Sequence, residues 1–432
     1  MVAGTDASAI ELPPTWLDDD PEFDAYAAQD ELTGSRAPDP YPEFRRFRAM
    51  GGVVRIVSPN PLDHTEGPRA WREGDPDDNV MIGLYSHAAV LDALRDWETF
   101  TSTAYAESMG LVFGHSILEM DPPEHTQHRN LVAEAFRAKV IERWESKLIR
   151  EIISNQIDSF ADRGHANLTE EFTIAYPVKV IAGLLGVPLE HWDWFRRRAI
   201  EEIMIGADVE RGLEASRVLK EYFTQIIQYR RRDPGEDLIS ELVTAEIDGH
   251  TLSDEEILPF LMLLSPAGAE TTYRSTGNLL YGLFTNPDQL EAVQADRSLI
   301  PQAIEEAIRW EAPLTGIGRG CTRDTEVHGV AIPAGASVTM GLGSANRDES
   351  VFGETSEEFD IFRPPKQHVA FAFGRHRCLG IHLARLEMKA AMELLLDRLP
   401  DLRLDPDSAD DVEITGVTFR SPNQLPVVFT SA

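Results

Sequence analysis

The sequence is short of cysteine, of positive charge and of long apolar runs. Two cysteines, Cys321 and Cys378, stand in 432 residues. They make no disulfide framework and match no metal-ligand spacing, which points to a reducing, cytoplasmic setting. Lys and Arg total 40 against 73 Asp and Glu, a formal charge of −33. That balance argues against a nucleic-acid partner, whose phosphates need clustered Lys and Arg. The acidity reads as a highly soluble surface. The longest apolar stretch, Ile257 to Ala269, contains Pro259 and Pro266 and is too short to span a bilayer. A basic leader is missing too, since the first 35 residues hold nine acids and no Lys or Arg. The expectation is a soluble protein without membrane contact.

A hydrophobic share of 42% is ample for a large core. Residues 1–40 read as an acidic N-terminal arm, mobile unless Pro13, Pro14 and Trp16 pin it, and 41–432 as a single domain. VVRIV at 53–57 and VMIGLY at 80–85 predict a small sheet. From about Pro123 to Leu314 helical periodicity dominates. Within it, Ser253 and Glu256 form a capping-box pattern ahead of LPFLMLL. Strands return at VHGVAIPAG, ASVTMGL and LPVVFT. A last helix is expected from near Leu379 to before Pro400, with Leu383, Leu386, Ala390 and Leu394 on one face. The fold class is mostly α with a minor β region to one side.

Cys378 sits in FAFGRHRCLG, residues 371–380. Between Lys366 and Lys389, five Lys and Arg face one acid, Glu387. Gly374 permits a tight turn and Gly380 leaves the backbone clear beside the sulfur. The following helix N-terminus, with Arg375 and Arg377, biases the sulfur toward thiolate. Such a thiolate is either a nucleophile, with His376 as base, or an axial ligand to haem iron. Cys321, in GRGCTRD, reads as an inert buried thiol.

Phe371, Gly374, Cys378 and Gly380 fill F-x-x-G-x-x-x-C-x-G, which resembles the haem-binding loop of the cytochrome P450 family. Ala372 departs from the glycine usual in bacterial members. The resemblance implies a triangular-prism α-domain with a small β-rich part, and haem b held by the Cys378 thiolate. Glu306 and Arg309 alone would be a surface i,i+3 pair of about 0.2–0.5 kcal/mol. The resemblance adds Arg363 and makes a buried network that holds the fold. It also implies His125, Arg129, Arg319 and His376 as partners of the haem propionates. His125 and Arg129, four apart in DPPEHTQHR, share a helical face. In PAGAETT, Ala267, Gly268, Glu270 and Thr271 resemble the family's acid–alcohol motif, which delivers protons opposite the thiolate. The bland reading is a kinked core helix. Pro266 within it predicts a pronounced kink or a widened turn.

The resemblance implies insertion of one atom of O2 into an apolar organic substrate. By analogy its pocket takes Tyr105, Met109, Leu111, Val112 and Phe113, then Leu263 and Leu264, then Leu314, Ile317, Val417 and Phe419. A neutral substrate (terpenoid, steroid-like, aromatic or macrolide) suits these side chains. No electron-carrying domain is legible in the chain, so an external ferredoxin and ferredoxin reductase are expected. They would dock on a basic face made by Arg375, Arg377, Arg385, Lys389, Arg137 and Lys139 of a monomer. Two rivals are a peroxide-driven haem-thiolate enzyme and a non-catalytic haem sensor or adaptor. The intact Glu270–Thr271 pair argues against both.

Overall fold

The capping box starts the longest helix. Ser253 Oγ accepts from the Glu256 N–H (3.3 Å) and Glu256 Oε2 accepts from the Ser253 N–H (2.8 Å). Two orphan donors are thereby satisfied. From there Asp254–Phe284 runs as one α-helix. It is the spine of this computed structural model, which describes residues 9–20, 22–57, 68–72, 80–206, 208–247 and 250–431. Helices Ala175–Leu184, Val209–Arg232, Ile300–Trp310 and Ile381–Arg398 pack around it. The widened turn expected at Pro266 is not there. The helix stays α-helical across it, because Pro266 is buried among those neighbours and Ser265 Oγ donates to the Leu261 carbonyl (2.8 Å) beside it. Widened, π-type turns occur instead at Glu145–Ile149 and Thr169–Thr173.

The minor β region gathers distant segments. Val53–Val57 and Val80–Leu84 pair antiparallel, as their composition predicts. Ser337–Met340 then joins Val80–Leu84 in parallel, and Ile317–Cys321 follows antiparallel. With Arg69–Ala70 and Phe100–Thr101 at the edges the sheet has six strands. Val338 and Met340 are buried under its inner face with Leu84 and Ile82. The C-terminal Pro426–Val428 pairs with Arg403–Leu404 and His165–Asn167 in a separate sheet. The architecture is therefore mostly α with a smaller β region.

The described part of the N-terminal arm is pinned to the domain, although Asp18, Asp20 and Asp30 remain about half exposed. Leu17 and Ile10 are buried, and Pro13 with them, while Trp16 stays exposed. Asp18 pairs with Arg198 (2.5 Å), Asp20 with Arg211 (2.9 Å) and Asp30 with Arg274 (2.6 Å). All three arginines are buried, and residues 18–30 add to the counter-charge that Glu201 gives Arg198 and Arg211 and Glu270 gives Arg274. Phe23 adds a ring 3.7 Å from the Arg211 guanidinium.

Candidate active site

The cysteine loop is shaped by backbone constraints. The Cys378 N–H donates to the Phe371 carbonyl (2.9 Å), and Gly374–His376 forms one 3-10 turn. Gly374 has φ 72°, and a Cβ there would stand 2.7 Å from the Leu94 carbonyl oxygen. Only glycine suits both conditions. Ala372 has φ 53°, a left-handed conformation that costs a non-glycine residue about 1 kcal/mol. The helix Ile381–Arg398 begins just beyond Gly380. A Cβ at Gly380 would meet nothing within 4 Å, so the loop faces open space there.

Cys378 is surrounded by the protein but exposed to the cavity that it lines. Burial pushes its thiol above the ordinary value, and the Gly380 N–H with Arg129, Arg377 and Arg385 offsets only part of that. The expected bias of nearby cations toward thiolate is present in direction, and desolvation outweighs it. A metal ligated by the sulfur would deprotonate it outright. His376 is poorly suited to serve a nucleophile. Burial and the neighbouring His125 hold it down to about 3, and its Nε2 lies 3.1 Å from Ser102 Oγ.

Behind the loop, Glu306, Arg309 and Arg363 come together in the interior. Arg309 donates to both Glu306 oxygens at 2.7 Å, and Arg363 Nε reaches Glu306 Oε1 at 3.3 Å. The remaining guanidinium donors go to the carbonyls of Asn346, Ser356, Phe352 and Thr355. A second cluster was not anticipated. Glu305 accepts two bonds of 2.6 Å from Arg385 and lies 3.4 Å from His368 Nε2. Despite burial, these partners draw its carboxyl down to about 2. Arg385 and His368 both pack on the Phe371 ring, bracing the loop. A Glu on the face next to Glu306 was the available signal.

A group of arginines and neutral imidazoles gathers beside the cavity. The His125 and His376 rings stand 4.2 Å apart, and Arg129 donates to the Arg377 carbonyl. Arg319 is buried against the Tyr105 ring. His125 is 1% exposed, and its Nε2 has no hydrogen-bond partner among the described residues. Burial and Arg129 push His125 down to about 4. The nearest acid, Asp121, lies 3.9 Å from His376 and is itself engaged by Thr101. Such a cluster lacks an anion. A flat apolar group carrying two carboxylates answers the orphaned imidazole, the buried Arg319 and the open face at Gly380 together, so the donor set fits a haem with its propionates. Among the described residues no His, Cys, Asp and Glu cluster could hold a metal ion by itself.

On the other wall, Ala267, Gly268 and Thr271 line the cavity with Cys378. Thr271 Oγ1 donates to the Ala267 carbonyl at 3.0 Å. A Cβ at Gly268 would stand 2.4 Å from Ile181 Cδ1, so a larger residue there requires the Ile181 side chain to shift. Glu270 does not line the cavity. Its Oε1 accepts from Arg274 Nε (2.9 Å) and Nη2 (2.7 Å), and from Tyr273 OH (3.4 Å). Burial raises its carboxyl, with Arg274 opposing. Its link to water runs through Arg274 to the half-exposed Asp30.

Of the expected pocket residues, Leu264, Leu314 and Ile317 line the cavity, joined by Phe136, Ile181 and Leu342. Tyr105 stands beside it, accepting from the Gly318 N–H (3.0 Å). In the short helix Met109–Phe113, Val112 and Phe113 are buried, Met109 is partly so and Leu111 is 56% exposed. Leu263 is half-buried, Val417 packs near Gly34, and Phe419 bridges Leu314 and meets Arg274. None of these last eight residues lines the cavity. The basic face is partly neutralised. Arg137 pairs with Glu134, Arg385 with Glu305 and Lys389 with Glu393. Arg375 and Arg377 have no carboxylate partner among the described residues, and Arg375 lies over the Trp97 ring at 5.4 Å.

The profile of the family described as Cytochrome P450 matches residues 191–424. Cytochrome P450 107B1 of Saccharopolyspora erythraea is 40% identical over 73% of this chain and 77% of its own. A cytochrome P450 of Chondromyces apiculatus shares the fold at TM-score 0.80 and 33% identity, covering 93% of this chain and 98% of that one. A second, from Bacillus megaterium in complex with testosterone, does so at TM-score 0.78 and 29% identity, covering 91% and 100%. The chain belongs to the cytochrome P450 family. It is an oxidoreductase of the haem-thiolate monooxygenase type. No helix among the described residues is long and apolar enough to cross a membrane.

Proposed function

We propose that this protein inserts one atom of O2 into a neutral, apolar organic substrate, the other atom leaving as water. One observation carries the reading: a lone cysteine and the alcohol Thr271 line the same apolar cavity, with an anion-seeking cluster at hand. When bound, a haem held by a thiolate would supply the chemistry of O2 reduction. Cys378 would hold the iron. His125, Arg129, Arg319 and His376 would hold the propionates, and Phe371, Gly374, Gly380 and Ala267 would leave room for the ring. Thr271 offers its hydroxyl oxygen toward the cavity, and Glu270 connects that stretch of helix to solvent by way of Arg274 and Asp30.

Leu264, Leu314, Ile317 and Phe136 exclude water and bring no charge, which suits a terpenoid, steroid-like, aromatic or macrolide substrate better than a carboxylate. The testosterone bound by the Bacillus megaterium relative supports that class. Electrons come from a separate ferredoxin and its reductase, working in the cytoplasm on a monomeric enzyme. Arg375 and Arg377, free of acidic partners, supply the docking charge.

The test supplies isotopically heavy O2, a ferredoxin system and a panel of apolar compounds. One heavy atom per product molecule is expected. Faster turnover with peroxide alone would favour the peroxide-driven rival. Reductant consumption without any oxidised product would favour the sensor.

A further inference from the structure

One short helix of the N-terminal arm ends against the backs of two cavity walls. The helix is Ala25–Leu32, and its end is the run from Asp30 to Gly34. Thr33 is buried, and its carbonyl accepts from the N–H groups of Val417 (2.9 Å) and Thr418 (3.3 Å). Gly34 has φ 86°, and a Cβ there would stand 3.0 Å from Val417 Cγ2. The helix therefore stops on a left-handed glycine seated against Val417.

From Val417 and Thr418 the contacts continue directly to the cavity. Thr315 donates its N–H to the Thr418 carbonyl (2.9 Å) and its hydroxyl to the Val417 carbonyl (2.7 Å). Leu314, one residue back, lines the cavity and bridges to Phe419. Val417 and Phe419 thus stand behind this wall and not in it. Asp30 reaches the other wall. It accepts from Arg274 Nη2 (2.6 Å), and the buried Arg274 also donates to Glu270 (2.7 Å) and to Ser421 Oγ (3.1 Å). Glu270 precedes Thr271, which lines the cavity. The Arg274 guanidinium lies 5.6 Å from the Phe419 ring, so the two routes meet there.

We propose that Asp30 to Gly34 is a specificity-determining element: it positions the Leu314 and Thr271 walls relative to each other, and so sets the size of apolar ligand the cavity admits, without touching that ligand. This rests on the haem-binding reading of the cavity above. The bonds through Thr33 go to backbone groups, so the arm governs where Leu314 stands and leaves its chemistry alone. A packed interior passes such shifts on, because it has few voids to absorb them.

Azole titrations of the haem-loaded protein read the cavity without turnover, since the azole nitrogen binds the iron whatever the natural substrate. Imidazole is the small probe and clotrimazole the bulky one. Asp30→Ala loosens Arg274 and should raise the ratio of clotrimazole to imidazole affinity about fivefold. Gly34→Ala presses a methyl on Val417 and should lower that ratio by about the same factor. Asp30→Glu should bring the ratio back toward wild type. An arm with a purely structural role would lower the urea midpoint in each variant and leave the ratio alone. Should Gly34→Ala not fold, Asp30→Ala and Asp30→Glu decide. Ratios within about twofold of wild type in every folded variant overturn the proposal and leave the oxygenase reading intact. A wild-type spectrum indifferent to imidazole overturns both.

Discussion

The two sides of the cavity differ in how far their polar groups are satisfied. On the cysteine side, Glu306 accepts from Arg309, Arg363 and the Asp360 N–H, and the guanidinium donors left over find carbonyls. Glu305 and Arg385 close a second bidentate pair. Elsewhere around the cavity stand unmatched atoms, among them His125 Nε2 and Glu387 Oε2. Buried polar groups are matched as a rule, so a cluster of exceptions marks where something else binds. In the first group, the framework, every charge is paired, although Asn346 Nδ2 and Ser356 Oγ beside it stay unmatched, whereas the second holds titratable groups without partners.

The largest effect should come from breaking the framework. Arg309→Leu leaves the buried Glu306 with Arg363 alone and should lower unfolding free energy by about 3–5 kcal/mol in urea titration. A loss near zero would erase the distinction between the sides. Gly268→Ala drives a methyl into Ile181 and should cost about 1–3 kcal/mol by the same assay. An unchanged stability would mean the long helix gives way there after all. His125→Ala should leave the urea midpoint nearly unchanged yet speed haem loss to a scavenger protein about tenfold. The reverse pattern would make His125 part of the framework. Ala372→Gly relieves a left-handed alanine and should stabilise by about 1 kcal/mol. Destabilisation would count against the strain.

What the sequence announced was local. The Cys378 loop and the capping box at Ser253 are set by neighbours within a few residues, and they are read directly. The E-x-x-R pair was visible as a pair, but its burial depends on carbonyls of residues 346–358 that only folding brings near. The acids of residues 18–30 looked like solvated charge because their partners, Arg198, Arg211 and Arg274, lie far along the chain. The Glu270–Arg274 pair was open to i,i+4 reading, and only its continuation to Asp30 was hidden by separation along the chain. Leu111 read as a pocket residue, though the helix Met109–Phe113 turns it outward while burying Val112. Glu387 could have been found. It falls four after Leu383 and three before Ala390, on the apolar stripe itself, where an acid breaks the pattern.

The most direct measurement is the absorption spectrum of the reduced protein under carbon monoxide, wild type beside Cys378→Ser. The account predicts the strongly red-shifted band of an anionic sulfur opposite carbon monoxide in the wild type and its disappearance in the variant. A colourless wild type, or the same band in both proteins, would contradict it.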